Sequence, residues 1–157
     1  MKLYDTLTGK NVSVEKLLRG KEPLRLFVCG PTVYDDAHIG HGRTYVFYDA
    51  LVRWLRSRGM SVRYLQNITD IDDKIIDRAW ERKVPARSLA REFERSYYRD
   101  MRRLGVVSVD RHARAADYIA EIQDQITRLV AGGYAYVTRN GVYFSVRKFE
   151  GYGRLSG

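Results

Sequence analysis

Residues 29–43 read Cys-Gly-Pro-Thr-Val-Tyr-Asp-Asp-Ala-His-Ile-Gly-His-Gly-Arg, and the segments on either side of them decide the fold. Upstream, Leu24-Arg25-Leu26-Phe27-Val28-Cys29 is a short apolar run between Pro23 and Gly30, the pattern of a buried strand. Downstream, from Gly42 to Arg58, Val46, Phe47, Ala50, Leu51, Trp54 and Leu55 recur on a helical period, and Gly59 supplies a stop. Ser61-Val62-Arg63-Tyr64-Leu65-Gln66 then reads as a second strand. Strand, helix and strand in succession make a βαβ unit, with parallel strands and a right-handed crossover. Such sheets bind ligands beyond the carboxyl ends of their strands. Cys29-Gly30 and Asn67-Ile68-Thr69-Asp70 occupy those ends, so the two blocks are expected to meet across one crevice.

His38 and His41 stand at the start of the helix with Gly40 between them. The first N–H groups of a helix lack internal partners and its dipole end is positive, which suits a phosphate. Imidazoles add donors that follow charge developing on phosphorus. Gly40 leaves room for a flat group against the backbone. The competing reading is a solvated cap or a histidine satisfied in the core; the loop before and the helix after favour the phosphate.

Further along, a helix is expected around 72–83, stopping near Pro85. Leu89, Phe93, Tyr97, Met101 and Leu104 mark a second, and Ile119, Ile122, Ile126, Leu129 and Val130 a third, closed by Gly132-Gly133. Tyr134–Val137 and Val142–Val146 flank Asn140-Gly141, a hairpin turn. Residues 3–8 read as a short strand and 9–23 as a loop-rich lead-in. With 157 residues and 45% hydrophobic content the chain has the composition of a globular protein and can bury a core. No run approaches the ~20 apolar residues of a membrane span. The opening Met1-Lys2-Leu3-Tyr4-Asp5 has no signal-like apolar core, and a single cysteine fits a reducing cytosol, so a cytoplasmic location is expected. The net charge of +9 fits a polyanion such as tRNA, or equally the composition of a GC-rich or thermophilic source, because the arginines are scattered.

The segment His38-Ile39-Gly40-His41 resembles the HIGH signature of class I aminoacyl-tRNA synthetases. A longer likeness is to the cysteinyl-tRNA synthetase family, in Cys29 to Asp35, His38 to Thr44 and Asn67-Ile68-Thr69-Asp70-Ile71-Asp72-Asp73-Lys74-Ile75. Leu3 to Thr8 and Tyr152 to Ser156 follow the same pattern, so the likeness runs from end to end. It implies an α/β fold: the first half of a Rossmann-type (HUP) nucleotide-binding domain with parallel strands at 1–108, and the start of the connective insertion at 109–157. Members of that family are longer, and this chain carries no KMSKS loop, second half-sheet or tRNA-binding helical region.

The resemblance implies an enzyme that activates cysteine with ATP, accompanied by Mg2+, and transfers it to tRNA(Cys). His38 and His41 would be catalytic; Thr32, His38, Ile39, Gly40 and His41 would bind ATP. Cys29, Gly30 and Thr69 would bind cysteine. Cys29 would also be one ligand of a zinc ion that takes the substrate's thiolate and so discriminates cysteine from serine. The other family ligands lie beyond the matched segments, which leaves that site incomplete here, and a lone cysteine ending a strand also fits a small buried hydrophobe. A companion chain or C-terminal half is a further implied partner, and little or no aminoacylation is expected of these 157 residues alone. Two other readings stand beside this one: a cysteine ligase of thiol-cofactor (mycothiol-type) synthesis, and a truncated, non-catalytic nucleotide- or tRNA-binding paralogue.

Asp70, Asp72 and Asp73 tempt a metal reading. A calcium loop starting at Asp70 fails, with Lys74 at its fifth position and Ile75 where glycine is required. Asp70 and Asp72 are instead expected to cap a helix and brace the crevice. His112, the remaining histidine, has no spacing that recommends it as a ligand. The twelve tyrosines, Tyr97-Tyr98 and the Tyr134–Tyr143 segment among them, suit core and hairpin packing better than nucleic-acid stacking.

Overall fold

In chain order the elements are β1 (Lys2–Asp5), β2 (Lys10–Ser13), β3 (Leu24–Val28), α1 (Ile39–Ser57), β4 (Val62–Ile68), α2 (Asp73–Glu81), α3 (Ala86–Arg103), β5 (Arg111–Arg114), α4 (Ile119–Ala131), β6 (Ala135–Thr138) and β7 (Gly141–Phe144). They come from a computed structural model of the chain that describes residues 1–14 and 22–156. The chain divides into two compact units, one of residues 22–117 and one of residues 1–14 with 118–156.

In the first unit β3, β4 and β5 form a parallel sheet in that order. Leu26 stands opposite Tyr64 and Val28 opposite Gln66, while Gln66 stands opposite His112 and Ile68 opposite Arg114. Val62, Tyr64, Gln66 and Ile68 are buried and the residues between them are not, so one face of β4 carries the core. Leu55, Val52, Ile75 and Leu89 complete it from the helices. The expected βαβ unit is present. β5 had no counterpart in the periodicity, because Arg-His-Ala-Arg has no apolar run. It is a strand because the edge of β4 offers it a ladder.

The buried face of α1 differs from the expected one. Gly42, Tyr45, Asp49, Val52 and Leu55 face inward, whereas Phe47 is 61% exposed and Trp54 41%. The two apolar stripes lie side by side, and the one containing a carboxylate is the one buried. Asp49 belongs there because it accepts hydrogen bonds from the amides of Val107 and Ser108, both at 2.7 Å. Burial pushes its carboxyl up, but these amides, Ser108 and Arg53 outweigh that and hold it below the usual carboxylate range.

Glu94 on α3 is a second buried carboxylate. It accepts from Arg91 at 2.8 Å, Arg114 at 2.6 Å and Tyr98 at 3.0 Å, tying α3 to the end of β5. Burial raises its pKa, and the two guanidinium groups and the phenol more than reverse this, so it lies below the ordinary value of 4.5. A carboxyl depressed by folding stabilises fully above its unfolded pKa, and that stabilisation disappears as pH falls through its folded pKa. The urea midpoint is therefore expected to drop as pH falls from about 5 to about 3, and Glu94→Gln to flatten that part of the profile. Equal slopes in wild type and Glu94→Gln would show that Glu94 carries none of it.

In the second unit β1 and β2 form an antiparallel hairpin, and so do β6 and β7, with Val137 opposite Val142 and Tyr136 stacked on Tyr143 at 6.0 Å. Strand β2 replaces loop within the expected lead-in at 9–23; residues 15–21 of that stretch lie outside the described residues. Helix α4 buries no residue fully. Strand β5 pairs with β4 and so belongs to the first unit, whose division from the second falls after residue 117. No helix among the described residues is long and apolar enough to cross a membrane.

Candidate active site

The carboxyl ends of β3 and β4 are knitted together. The Gly30 amide donates to Asn67 Oδ1 at 2.7 Å, and Asn67 Nδ2 donates to Thr69 Oγ1 at 3.1 Å. Thr69 N donates to the Pro31 carbonyl at 3.0 Å and Val33 N to the Thr69 carbonyl at 3.1 Å, making a parallel bridge between Thr32 and Thr69. Gly30, Thr32 and Thr69 thus meet as their places at the strand ends require. A Cβ on Gly30 would lie 1.7 Å from the Asn67 carbonyl oxygen, so only glycine allows this approach.

Helix α1 begins at Ile39, three residues before the apolar period starts, because the histidines cap it. His38 is the N-cap, and its Nδ1 accepts from Gly40 N at 3.1 Å; His41 Nδ1 accepts from His38 N at 3.2 Å. The two imidazoles form a reciprocal capping box and stack with centroids 3.9 Å apart. A nitrogen that accepts carries no proton, so the hydrogen-bonding places the proton of each neutral ring on Nε2. Burial, and then the neighbouring His38 imidazole, lower the His41 pKa and so favour the neutral form of that ring. The result is two imidazoles at the positive end of a helix, each with Nδ1 engaged by the backbone and an Nε2–H left to meet an anion. Ile39 is 89% exposed and Gly40 is exposed. A Cβ on Gly40 would approach only the His38 ring, at 2.8 Å, and so would displace the cap.

The loop between these blocks is braced from α2 and α3. Asp35 pairs with Arg78 at 3.8 Å, Ser96 donates to Asp36 at 2.5 Å, Arg99 donates to Ser96 at 2.7 Å, and Lys74 lies over the Tyr34 ring at 5.4 Å. Asp72 is the N-cap of α2, accepting from Lys74 N at 2.9 Å. Asp70, expected as a second cap, accepts instead from Ala116 N at 2.9 Å and ties the end of β4 to the segment after β5. His112 on β5 packs edge-on against Tyr98 at 4.9 Å, consistent with a structural histidine.

Cys29 follows β3 directly, and it is exposed rather than a buried hydrophobe. Among the described residues no three or more His, Cys, Asp or Glu side chains are grouped so as to hold a metal ion. Among the described residues Cys29 therefore has fewer than two such partners beside it, short of the four ligands of a structural zinc site. The sequence reading missed two side chains here. Asn67 holds Gly30, and the hydroxyl of Tyr45 donates to the Cys29 carbonyl at 3.2 Å. Tyr45 was legible in principle, standing four residues after His41 on the same helical face.

Comparison with known proteins identifies the family and the fold. Residues 16–157 match the family described as tRNA synthetases class I (C) catalytic domain. A cysteine–tRNA ligase of Thermoplasma volcanium is 52% identical over 156 residues, covering 99% of this chain and 34% of that protein. One from Thermococcus onnurineus is 45% identical, covering 100% of this chain and 33% of the relative. The chain thus spans about a third of the length of the curated relatives it matches. Among solved structures, Mycobacterium tuberculosis methionyl-tRNA synthetase bound by methionyl-adenylate has a TM-score of 0.67 at 26% identity, covering 73% of this chain and 23% of its own. The fold is shared with the Agrobacterium radiobacter K84 leucyl-tRNA synthetase, with a TM-score of 0.64 at 23% identity, covering 73% of this chain and 15% of that one. Parallel strands joined at Gly30, imidazoles at a helix start and a match over nearly the whole length converge on one answer: the chain belongs to the class I (C) tRNA synthetase catalytic-domain family.

Proposed function

We propose that the chain supplies the HIGH-bearing part of the adenylate-forming site of a cysteine–tRNA ligase. In that reaction a carboxylate oxygen of cysteine attacks the α-phosphorus of ATP, the bond to the β-phosphate oxygen breaks, and pyrophosphate leaves. The adenylate then passes its cysteinyl group to a hydroxyl at the tRNA 3′ end, releasing AMP. The substrate supplies the nucleophile, so the protein's work is positioning and charge stabilisation.

The observation that carries the reading is the reciprocal capping of α1 by His38 and His41, which presents two Nε2–H donors where phosphate oxygens gather charge. Thr32, Ile39 and the open backbone at Gly40 would form the nucleotide side, and Cys29, Gly30 and Thr69 the cysteine side. Magnesium would accompany the ATP phosphates. Cys29 could give zinc one thiolate, with the remaining donors outside the described residues. tRNA is the acceptor that the relatives' names favour over an amino sugar, and the charge of +9 suits it. The first unit would be the nucleotide-binding half and the segment after β5 the start of the connective insertion. The rest of the site would come from further chain, in the same polypeptide or a companion.

Calorimetry tests this directly. The chain is expected to bind ATP and, more tightly, a non-hydrolysable cysteinyl-adenylate mimic; His38→Ala and His41→Ala should each weaken the mimic at least about tenfold, roughly 1.4 kcal/mol. The purified chain alone should form little or no cysteinyl-tRNA. Absence of both binding events, or mutants with wild-type affinity, would sink the assignment.

A further inference from the structure

Two structural elements carry the proposed site, and one side chain outside the motif joins them. Cys29 and Gly30 end β3, while His38 and His41 begin α1, with a loop between. Tyr45 lies one turn beyond His41 and is 2% exposed. Its ring lies 6.1 Å from that of His41 and within 9° of parallel, and its hydroxyl donates to the Cys29 carbonyl at 3.2 Å. Burial first, and then the charges of Cys29 and Tyr64, push its phenol well above its ordinary value of 10.0, so it stays a donor.

The rotamer of Tyr45 is itself held. Tyr97 of α3 meets it edge-on at 5.6 Å, and the Tyr97 hydroxyl donates to Gln66 Oε1 at 2.7 Å. Gln66 is fully buried on β4 and its Cγ lies 3.0 Å from where a Cβ of Gly30 would be. A circuit therefore runs from Tyr45 through Tyr97 and Gln66 to Gly30 and closes through Cys29, whose carbonyl accepts from Tyr45, with His41 joined to it at the Tyr45 ring.

We infer that Tyr45 is a positioning residue that holds the thiol-bearing end of β3 at a set distance from the imidazole pair of α1. Resting on the proposed function, this makes Tyr45 the spacer between the cysteine side and the phosphate side. In-line attack needs the reacting atoms about 3–3.5 Å apart, and displacement by ~1 Å costs on the order of a hundredfold. The two sides need not fail together: the hydroxyl governs Cys29 and the ring governs His41.

Tyr45→Phe separates these contributions because it keeps the ring and removes the hydroxyl. With one hydrogen bond lost, alkylation of Cys29 by iodoacetamide in chelator-treated protein should accelerate at least about threefold. The adenylate mimic should bind at least about fivefold more weakly, with ATP affinity within about twofold of wild type. The His41 imidazole resonances should be unchanged in Tyr45→Phe and displaced in Tyr45→Leu, where the stacked ring is gone. A merely structural Tyr45 would move both ligands alike with the melting temperature and leave Cys29 reactivity untouched, and that result overturns the inference. Should wild type bind neither ligand, the proposed function fails. Cys29 alkylation and the His41 resonances then still decide: a faster thiol with an unmoved imidazole in Tyr45→Phe upholds the spacer, and any other pattern refutes it.

Discussion

Gly30→Ala is expected to disrupt the crevice more than any other single-atom addition to this chain. The new Cβ would lie 1.7 Å from the Asn67 carbonyl oxygen and 2.8 Å from its carbon, both backbone atoms of the central strand. No rotamer relieves a clash between backbone and Cβ, so the ends of β3 and β4 must separate. That separation breaks the Gly30 N to Asn67 Oδ1 bond and strains the Thr32–Thr69 bridge. Overpacking of this severity costs about 3 kcal/mol or more. Urea denaturation should show that loss, and calorimetry should show no binding of the adenylate mimic even where the protein stays folded. Gly42→Ala is the matched comparison: its Cβ would meet only the flexible Leu104 Cδ1, at 3.2 Å, and the expected cost is about 1 kcal/mol or less. If Gly30→Ala matched Gly42→Ala in stability and ligand affinity, the close approach would have no functional weight.

Removing the Asp49 carboxylate should rank second, and should act on the fold rather than on the ligand. Its Oδ1 is the acceptor for both the Val107 and Ser108 amides, at 2.7 Å each, in a buried setting. Asp49→Ala leaves two amides without that acceptor, at about 1–3 kcal/mol apiece, so a loss of roughly 2–6 kcal/mol is expected. Asp49→Asn keeps an oxygen acceptor and forfeits only the charge, and about half that loss is expected. Chemical denaturation of the two variants measures this. Hydrogen exchange should place the loosening at residues 106–108, the segment that leads into β5. Equal stability of wild type and Asp49→Ala would mean that the amides find other partners.

Much of the site was legible because it rests on local spacing or on the ends of neighbouring parallel strands. The spacing of His38 and His41 puts them in one helical turn, and the approach of Gly30 to Asn67 follows from two parallel strands ending side by side. The short runs at 24–28 and 62–66 announced strands by their apolar and β-favouring residues, although β3 buries only Val28 fully, against the expected buried strand, and β4 alternates buried with less buried positions. Other features depended on partners far along the chain. Phe47 and Trp54 read as core positions alongside Leu55, yet of the three only Leu55 is buried, and the stripe that turned inward carries Asp49, which accepts from the amides of Val107 and Ser108. Asp70 looked like its neighbour Asp72, yet one caps α2 and the other reaches Ala116.

The amino-acid order alone determined the βαβ unit, the capped helix start and the family likeness, since each rests on interactions a few residues apart or on a recurring pattern. Tertiary structure alone decided that Arg111–Arg114 is a strand, that Asp49 is inside, and that Tyr45 ties Cys29 to His41. The physical reason is that polar and charged side chains favour water, so their burial cannot be read from the local sequence pattern. A carboxylate or phenol goes inside only where distant backbone supplies its hydrogen-bond partner, and that distance is set by the assembled chain.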